Sequence, residues 1–143
     1  MIPEMQARLR TAPDTPFRLV AGATALAQVK DRPVTMPAAF VIPLEDASEP
    51  NSRMAGPVLQ RTQADVGVII ICENMSDPLG QAVTDDLTEL KKFVRRNFIG
   101  FVPNERCDPV EHVSGSILRA RSGTVWFQDI FATAYYQEED STP

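Results

Sequence analysis

The feature that most constrains this fold is an apolar, β-branched block that ends a longer segment, residues 58–73. The block reads V-G-V-I-I-I-C from Val66 to Cys72, and it is the most strongly strand-forming part of the sequence. A second apolar run, residues 38–44, lies earlier in the chain, is bounded by prolines and predicts another buried strand. Residues 45–57 separate the two runs and form a connection much longer than a hairpin loop. Long ordered loops usually contact another part of the protein or a partner. We therefore expect two strands that present a long inter-strand loop.

Periodicity and turn residues predict the remaining elements. Amphipathic spacing predicts helices over residues 2–12, 24–30 and 81–99, and strands are predicted over residues 17–20, 113–121 and 124–136. Both faces of the last predicted strand, residues 124–136, are substantially apolar, so that strand should be central or covered on both sides. The order α-β-α-β-β-α-β-β predicts an α+β fold, a single domain with a mostly antiparallel or mixed β-sheet flanked by two to three helices.

The clearest helix is the one over residues 81–99. Its predicted apolar stripe comprises Val83, Leu87, Leu90, Val94 and Phe98, and Ser76 or Asp77 is placed to cap its start. Its basic second half, residues 91–96, suits the negative end of the helix dipole, and a solvated face explains it better than a docking patch. A tight turn at Ser122 and Gly123 is predicted to join the last two strands.

Composition bounds the kind of protein. A chain of 143 residues suits one domain with a real core, and 43% hydrophobic with 23% charged residues is typical of globular proteins. We expect a domain over residues 1–137 and a flexible acidic tail over residues 138–143. No run approaches the roughly 20 apolar residues of a membrane helix, and the N-terminus lacks a signal-peptide pattern. We therefore expect no membrane partner and a protein that stays in the cytoplasm where it is made.

Charge and cysteine content narrow the partners. The formal net charge of −5 disfavours gripping nucleic acid by its phosphates, although DNA could slide past such a surface without sticking. Cys72 is expected to be a small buried hydrophobe, and Cys107 lies in a polar loop. Two cysteines and one histidine indicate neither a disulfide framework nor a structural zinc site. No metal and no cofactor are predicted.

No catalytic constellation is evident in the sequence. The only histidine, His112, stands in no known catalytic motif, and the Ser114-Gly115-Ser116 run beside it is typical of a strand start. Asp129, on a strand interior, is the acid that a small enzyme would use, but it would need convergent titratable groups in a pocket. The residues therefore favour a non-enzymatic domain that works through its surfaces.

An ordered set of segments resembles the phage tail terminator family. It begins with P-A-A-F-V-I-P-L at residues 37–44, then a polar loop with Asn51 and Gly56, then Gln60-Arg61 and the apolar strand. It continues with the Asp85-Asp86-Leu87 helix that ends in Arg95-Arg96, and with Trp126-Phe127-Gln128-Asp129. The resemblance extends from the first helix to about Gln137. Each segment is common alone, so the ordered set carries the resemblance.

The resemblance implies a structural role in the virion. Tail terminators are small α/β proteins that form a homohexameric ring, which caps the head-proximal end of the tail tube and stops its polymerisation. The implied partners are the tail tube protein, the tail sheath protein in contractile tails, the head connector and neck proteins, and genomic DNA passing through the lumen without specific binding. The implied location is the neck region of the tail, with assembly in the host cytoplasm. No catalytic residues come with the family.

Other functions stay open at this point. Another neck component, such as a head-completion or connector-adaptor protein, is the nearest alternative. A monomeric interaction module and a small enzyme are the others. A ring of six chains would carry about −30 formal charges, and an acidic lumen would repel DNA and keep it mobile.

The long loop and its flanks are the predicted interface with a neighbouring subunit or the tube. A ring needs two different adhesive surfaces on each chain, and the sheet edges are the other candidates. Met54 is expected to be an adaptable apolar contact at the loop tip, unless it folds back on its own loop. Arg61 pairing with Asp65 or Glu45 within one chain is the alternative for that residue, and Trp126 is expected in the core. The predicted interface residues are Glu45, Asp46, Glu49, Asn51, Arg53, Met54 and Arg61.

Overall fold

A computed structural model describes residues 1–73, 81–121 and 123–140, with the side chains of residues 81–85 left undescribed. Its elements follow the predicted order and fall within a few residues of the predicted bounds. They are α1 (Ile2–Thr11), β1 (Leu19–Ala21), α2 (Ala23–Ala27), β2 (Ala38–Ser48), β3 (Leu59–Glu73), α3 (Gln81–Phe98), β4 (Glu111–Arg121) and β5 (Thr124–Glu138). The α+β prediction is confirmed.

The strands form one mixed sheet in the order β1-β2-β3-β5-β4. β1 is parallel to β2, and the other neighbours are antiparallel. β3 and β5 pair along their whole length, from Leu59 opposite Glu138 to Glu73 opposite Thr124. The prediction that the last strand is central is confirmed, because β5 has β3 on one side and β4 on the other.

Helices α1 and α3 cover one face of this sheet. Leu87, Leu90, Val94 and Phe98 are buried, so the predicted stripe of α3 is confirmed where it is described. Phe98 packs edge-on against Phe131 of β5, with ring centroids 5.3 Å apart. The main core therefore lies between α3 and the halves of β3 and β5 beneath it.

The opposite face carries a smaller apolar cluster. Phe40, Ile69 and Ile71 are buried there, and α2 packs against them. Trp126, expected in the core, is only half-buried, since its ring lies on this thinner side beneath the guanidinium of Arg119, 4.0 Å from the ring centroid.

The predicted loop is shorter than expected, because the strands continue past their apolar parts. β2 runs to Ser48, and the connection to β3 spans residues 49–58 rather than 45–57. Asp46 pairs with Ala64 and Ser48 with Thr62 in the antiparallel ladder. These pairs are held by backbone hydrogen bonds, which an apolar pattern does not report.

Four predicted features lie outside the described residues. They are the cap at Ser76 or Asp77, the side chain of Val83, Ser122 in the predicted turn, and residues 141–143 of the predicted tail. Gly123, which follows Ser122, has a φ of 74°. None of the three described helices is long and apolar enough to cross a membrane.

Candidate functional site

The interface residues predicted from the sequence all lie on one projecting part of the sheet, here called the arm. The arm comprises residues 44–65 and 135–140, where β2, β3 and β5 run beyond the helices. Apart from Thr62 and Ala64, its residues are exposed or half-buried. The arm is therefore an ordered sheet extension that exposes its side chains.

Asn51 organises the loop at the end of the arm. Its Oδ1 accepts hydrogen bonds from the backbone N–H of Arg53 at 3.1 Å and of Leu59 at 2.9 Å. The N–H of Ser52 donates to the carbonyl of Leu59 at 3.0 Å, so the base of the loop is closed on both strands. Asparagine is suited to this because its short side chain bonds to nearby backbone. Asn51 therefore shapes the loop from within.

Arg53 fastens the loop to β5. Its guanidinium donates to the carbonyl of Pro57 at 3.2 Å and to Oε2 of Glu138 at 2.7 Å. The N–H of Glu139 donates to the carbonyl of Val58 at 2.7 Å. β5 thus extends one residue past the predicted domain end, while the flexible tail stays a prediction. The sequence predicts Arg53 as a contact residue, whereas its observed bonds hold the arm together.

Met54 stands at the tip of this ordered loop and is fully exposed, at 105% of its reference area. It does not fold back on the loop, and Gly56, two residues later, has the positive φ of 90° that the turn requires. The loop therefore presents to solvent an apolar side chain that can adapt to irregular apolar surfaces.

Arg61 pairs with Asp108, and neither predicted partner, Asp65 nor Glu45, takes that role. The two groups lie 2.9 Å apart, and both are exposed. The hydrogen bond to Asp108 raises the pKa of Arg61. Asp108 lies 47 residues away in the loop before β4, a proximity that no local pattern could reveal.

The remaining predicted contacts make the arm acidic. Glu45, Asp46 and Glu49 are exposed, and β1 pairs with β2 only from Ala38 to Phe40. Among the described strands, none pairs with the outer edge of β2 beyond that point. Residues 45–65 and 138–140 carry seven carboxylates and two arginines, a net of −5 that equals the net charge of the whole chain. The arm is therefore where the excess negative charge resides.

A second surface, which the sequence did not reveal as such, lies on the opposite edge of the sheet. Among the described strands, β4 pairs only with β5, and Val113, Ile117 and Leu118 are 54%, 59% and 50% exposed. The register shifts at Val113 and Leu118, which marks two bulges. We call these three residues the β4 patch. The sequence signal for this patch was that these three apolar residues interrupt the regular alternation of apolar and polar side chains along the strand.

Cations border the β4 patch on both faces of the sheet. On the helix face, Lys91 Nζ lies 4.6 Å from the ring centroid of Phe127, the residue opposite Ile117. On the other face Arg119 stacks on Trp126, and Arg121 is exposed at the end of the strand. The patch thus combines an apolar centre with a positive rim.

The buried Asp129 anchors α3 and β4 to the sheet. Its carboxylate accepts two hydrogen bonds of 3.0 Å from Arg95 of α3, which raise the pKa of Arg95, and it lies 2.7 Å from Nε2 of His112. Gly115 leaves room for this group, since a Cβ there would lie 2.7 Å from Oδ1 of Asp129. Titratable groups do converge here, but Asp129 is fully buried and both its oxygens are engaged. The cluster holds elements together and presents no nucleophile.

The two cysteines fit neither a metal centre nor a disulfide. Cys72 is buried as predicted, and burial, followed by the charge of Asp86, raises the pKa of its thiol to about 11. It is therefore protonated at neutral pH and unreactive. Within residues 1–73, 81–121 and 123–140, no group of three His, Cys, Asp or Glu side chains could hold a metal ion.

Comparison with known proteins completes this description. A family model described as phage tail terminator protein matches residues 2–141. No curated protein matches the sequence. Among solved structures, a chain of the virion of a native gene transfer agent particle superposes with a TM-score of 0.51 and 12% identity, over 93% of this chain and 84% of that one. At that identity the likeness concerns the fold alone.

Proposed function

The chain belongs to the phage tail terminator protein family, and from that premise we propose that it forms the ring that caps the head-proximal end of a phage tail tube. As a family member it is a tail structural protein and a virion component. In the proposed role the ring stops polymerisation of the tube, and of the sheath where the tail is contractile. Its other side offers a docking surface to the head connector, and the virion location is the neck.

The observation that carries the proposal, beyond family membership, is the arm. It is ordered by Asn51 and Arg53, it exposes Met54 completely, and it projects past the core. An ordered projection whose side chains are nearly all exposed or half-buried suits a protein that works by contact with neighbours. The proposed partners of the arm are a second copy of this chain or the tail tube protein.

The charge distribution supports passage of DNA without capture. The whole chain has a formal net charge of −5, so six chains around a common axis would carry about −30 formal charges. Where such a surface faces the lumen, it repels the phosphate backbone and keeps DNA mobile. The proposed contact with DNA is therefore electrostatic exclusion.

A shortened arm tests the proposal. Residues 53–57 are replaced by Asn-Gly, and the purified variant is added to tail tubes of the same phage as they polymerise. The wild-type protein is expected to form six-fold rings at one tube end in electron micrographs and to stop elongation. The variant is expected to fold, as judged by circular dichroism and thermal unfolding, and to leave tubes uncapped.

The matched control is Val34→Ala, because Val34 is as exposed as Met54 but lies outside the arm. It should cap like the wild type. Wild-type protein that never binds a tube end and stays monomeric would contradict the terminator role. Capping at normal length by the shortened variant would contradict the role of the arm.

A further inference from the structure

We propose that adjacent copies of this chain join head to tail, with the arm of one copy docked along the β4 patch of the next and Met54 placed against Ile117. The inference rests on the proposed ring and identifies the two surfaces that close it. The occupant of the β4 patch is thus a second copy of this chain.

The first argument is position. The sheet order β1-β2-β3-β5-β4 puts the open, acidic edge of β2 on one side of the molecule and β4 on the other. A cyclic ring is built from heterologous contacts, which require two different and mutually complementary surfaces on each chain. Surfaces on opposite edges of one sheet let each copy bind a neighbour on both sides.

The second argument is the nature of the β4 edge. A regular, unpaired edge strand invites another strand, whereas bulges interrupt the ladder and twist the edge away. Strand β4 has such interruptions at Val113 and Leu118 and exposes apolar side chains at both. This edge therefore suits contact through side chains rather than strand pairing. A fully exposed methionine on an ordered loop is a suitable partner for its apolar side chains.

The third argument is charge. The arm carries a net of −5, while Lys91, Arg119 and Arg121 surround the β4 patch. Glu111, the acid of this strand, stands at its opposite end. Opposite signs favour an arm on a β4 edge, and like signs disfavour arm on arm or β4 on β4. Charge thus selects the head-to-tail arrangement over an isologous dimer.

Cysteine cross-linking tests the contact directly. In a Cys107→Ser background, the single variants Met54→Cys and Ile117→Cys are purified, checked for native circular dichroism, mixed and oxidised with and without tail tubes. A disulfide-linked heterodimer is expected at about tenfold the yield of a Met54→Cys with Ala7→Cys mixture, in which Ala7 is exposed on α1, because proximity raises the effective thiol concentration. Met54→Cys or Ile117→Cys alone should give little homodimer.

Charge reversal provides an independent measurement. The arm variant Glu45→Lys/Asp46→Lys/Glu49→Lys and the edge variant Lys91→Glu/Arg121→Glu should each lower the ring fraction about tenfold, by sedimentation and electron microscopy. One chain carrying both sets should recover most of it. Recovery of the ring fraction would show that the two sets of charges contact each other, because two independent defects would not compensate.

The outcomes separate this inference from the ring itself. If wild-type rings form but the Met54–Ile117 heterodimer does not, the ring stands and the arm-to-β4 contact is wrong. The contact is also wrong if Met54→Cys links only to the tail tube protein, which would make the tube the partner of the arm. If no ring forms in solution or on tubes, the terminator role and this inference both fail.

Discussion

The same three strands behave in opposite ways in the two halves of the molecule. Under α1 and α3, β3 is an unbroken buried run that includes Val66, Val68 and Ile70, and β5 adds Phe127 and Phe131. In the arm these strands continue with the same backbone pairing, but nearly all their side chains face solvent. Backbone pairing alone is therefore enough to continue the sheet, whereas the burial of apolar side chains determines which half stabilises the fold.

In the arm, hydrogen bonds from side chains take the place of buried apolar contacts. Asn51 and Arg53 tie the loop to β3 and β5, and Gln137 donates to Thr62 at 2.7 Å within the sheet. Bonds of this kind each contribute only about 1 kcal/mol net, but they fix shape. The core half should thus govern folding, and the arm should govern contact with partners.

The largest expected contrast comes from truncating one apolar side chain in each half. Phe131→Ala removes a fully buried ring that packs on Phe98, and it should lower the free energy of unfolding by about 3–5 kcal/mol. Met54→Ala removes a side chain that buries nothing within the chain, and it should change the same quantity by less than about 0.5 kcal/mol. Urea titrations would measure both. Comparable losses would mean that the arm contributes to folding.

A second contrast compares two arginine–aspartate pairs. Arg95→Met leaves the carboxylate of Asp129 fully buried with His112 as its remaining partner. We expect a loss of about 2–3 kcal/mol, below the usual cost for a fully buried pair because Arg95 is one-third exposed. Arg61→Met, which breaks the exposed pair with Asp108, should leave chemical unfolding unchanged. A large effect at Arg61 would show that the base of the arm is coupled to the core.

A third contrast uses two glycines that differ in what constrains them. Gly115→Ala would place a Cβ 2.7 Å from both Asp129 Oδ1 and Phe127 Cζ, and such overpacking costs about 1–3 kcal/mol. Gly56→Ala meets no atom within 4 Å, so its cost is the strain of φ +90°, about 1 kcal/mol. The two substitutions should also disturb different parts of the molecule. Gly115→Ala should shift the NMR signals of His112, and Gly56→Ala should leave them unchanged. A shared disturbance would contradict the separation of the halves.

The order of elements was predictable because it follows from periodicity. The stripe of α3 and the two-sided apolar β5 are repeats of side chains along single elements, and both predictions are confirmed where described. The strand continuations past Leu44 were not predictable from apolar pattern, since nearly all of their side chains face solvent.

The exposure of the predicted interface residues was predictable in part, but the bonds that two of them make were not. The acidic residues and Met54 are exposed as expected, whereas Arg53 and Arg61 are held within the chain by Glu138 and Asp108. Those partners are distant in sequence, so only the folded topology brings them together. The exposure of the β4 patch was not predictable, because it depends on the position of β4 at the edge of the sheet, and the sequence of a single strand does not reveal that position.

The smallest effect comes from Cys72, a buried residue at the end of β3 in the core half, and it depends on pH. Burial raises the pKa of the Cys72 thiol from 9.0 to about 11. Below about pH 8 the thiol is protonated in both states, so its contribution to the free energy of unfolding is constant. Between about pH 8 and 11 it ionises mainly in the unfolded chain, so the free energy of unfolding falls as pH rises.

The matched variant Cys72→Ala isolates this term from other groups that titrate in the same range. It should be less stable than the wild type at pH 7, and the difference should narrow by on the order of 1 kcal/mol from pH 8 to 11, since a full two-unit shift is discounted for partial solvation. Urea titrations at three pH values would measure it. A constant difference would mean that water reaches this end of β3 and that the core half is less sealed than the contrast with the arm requires.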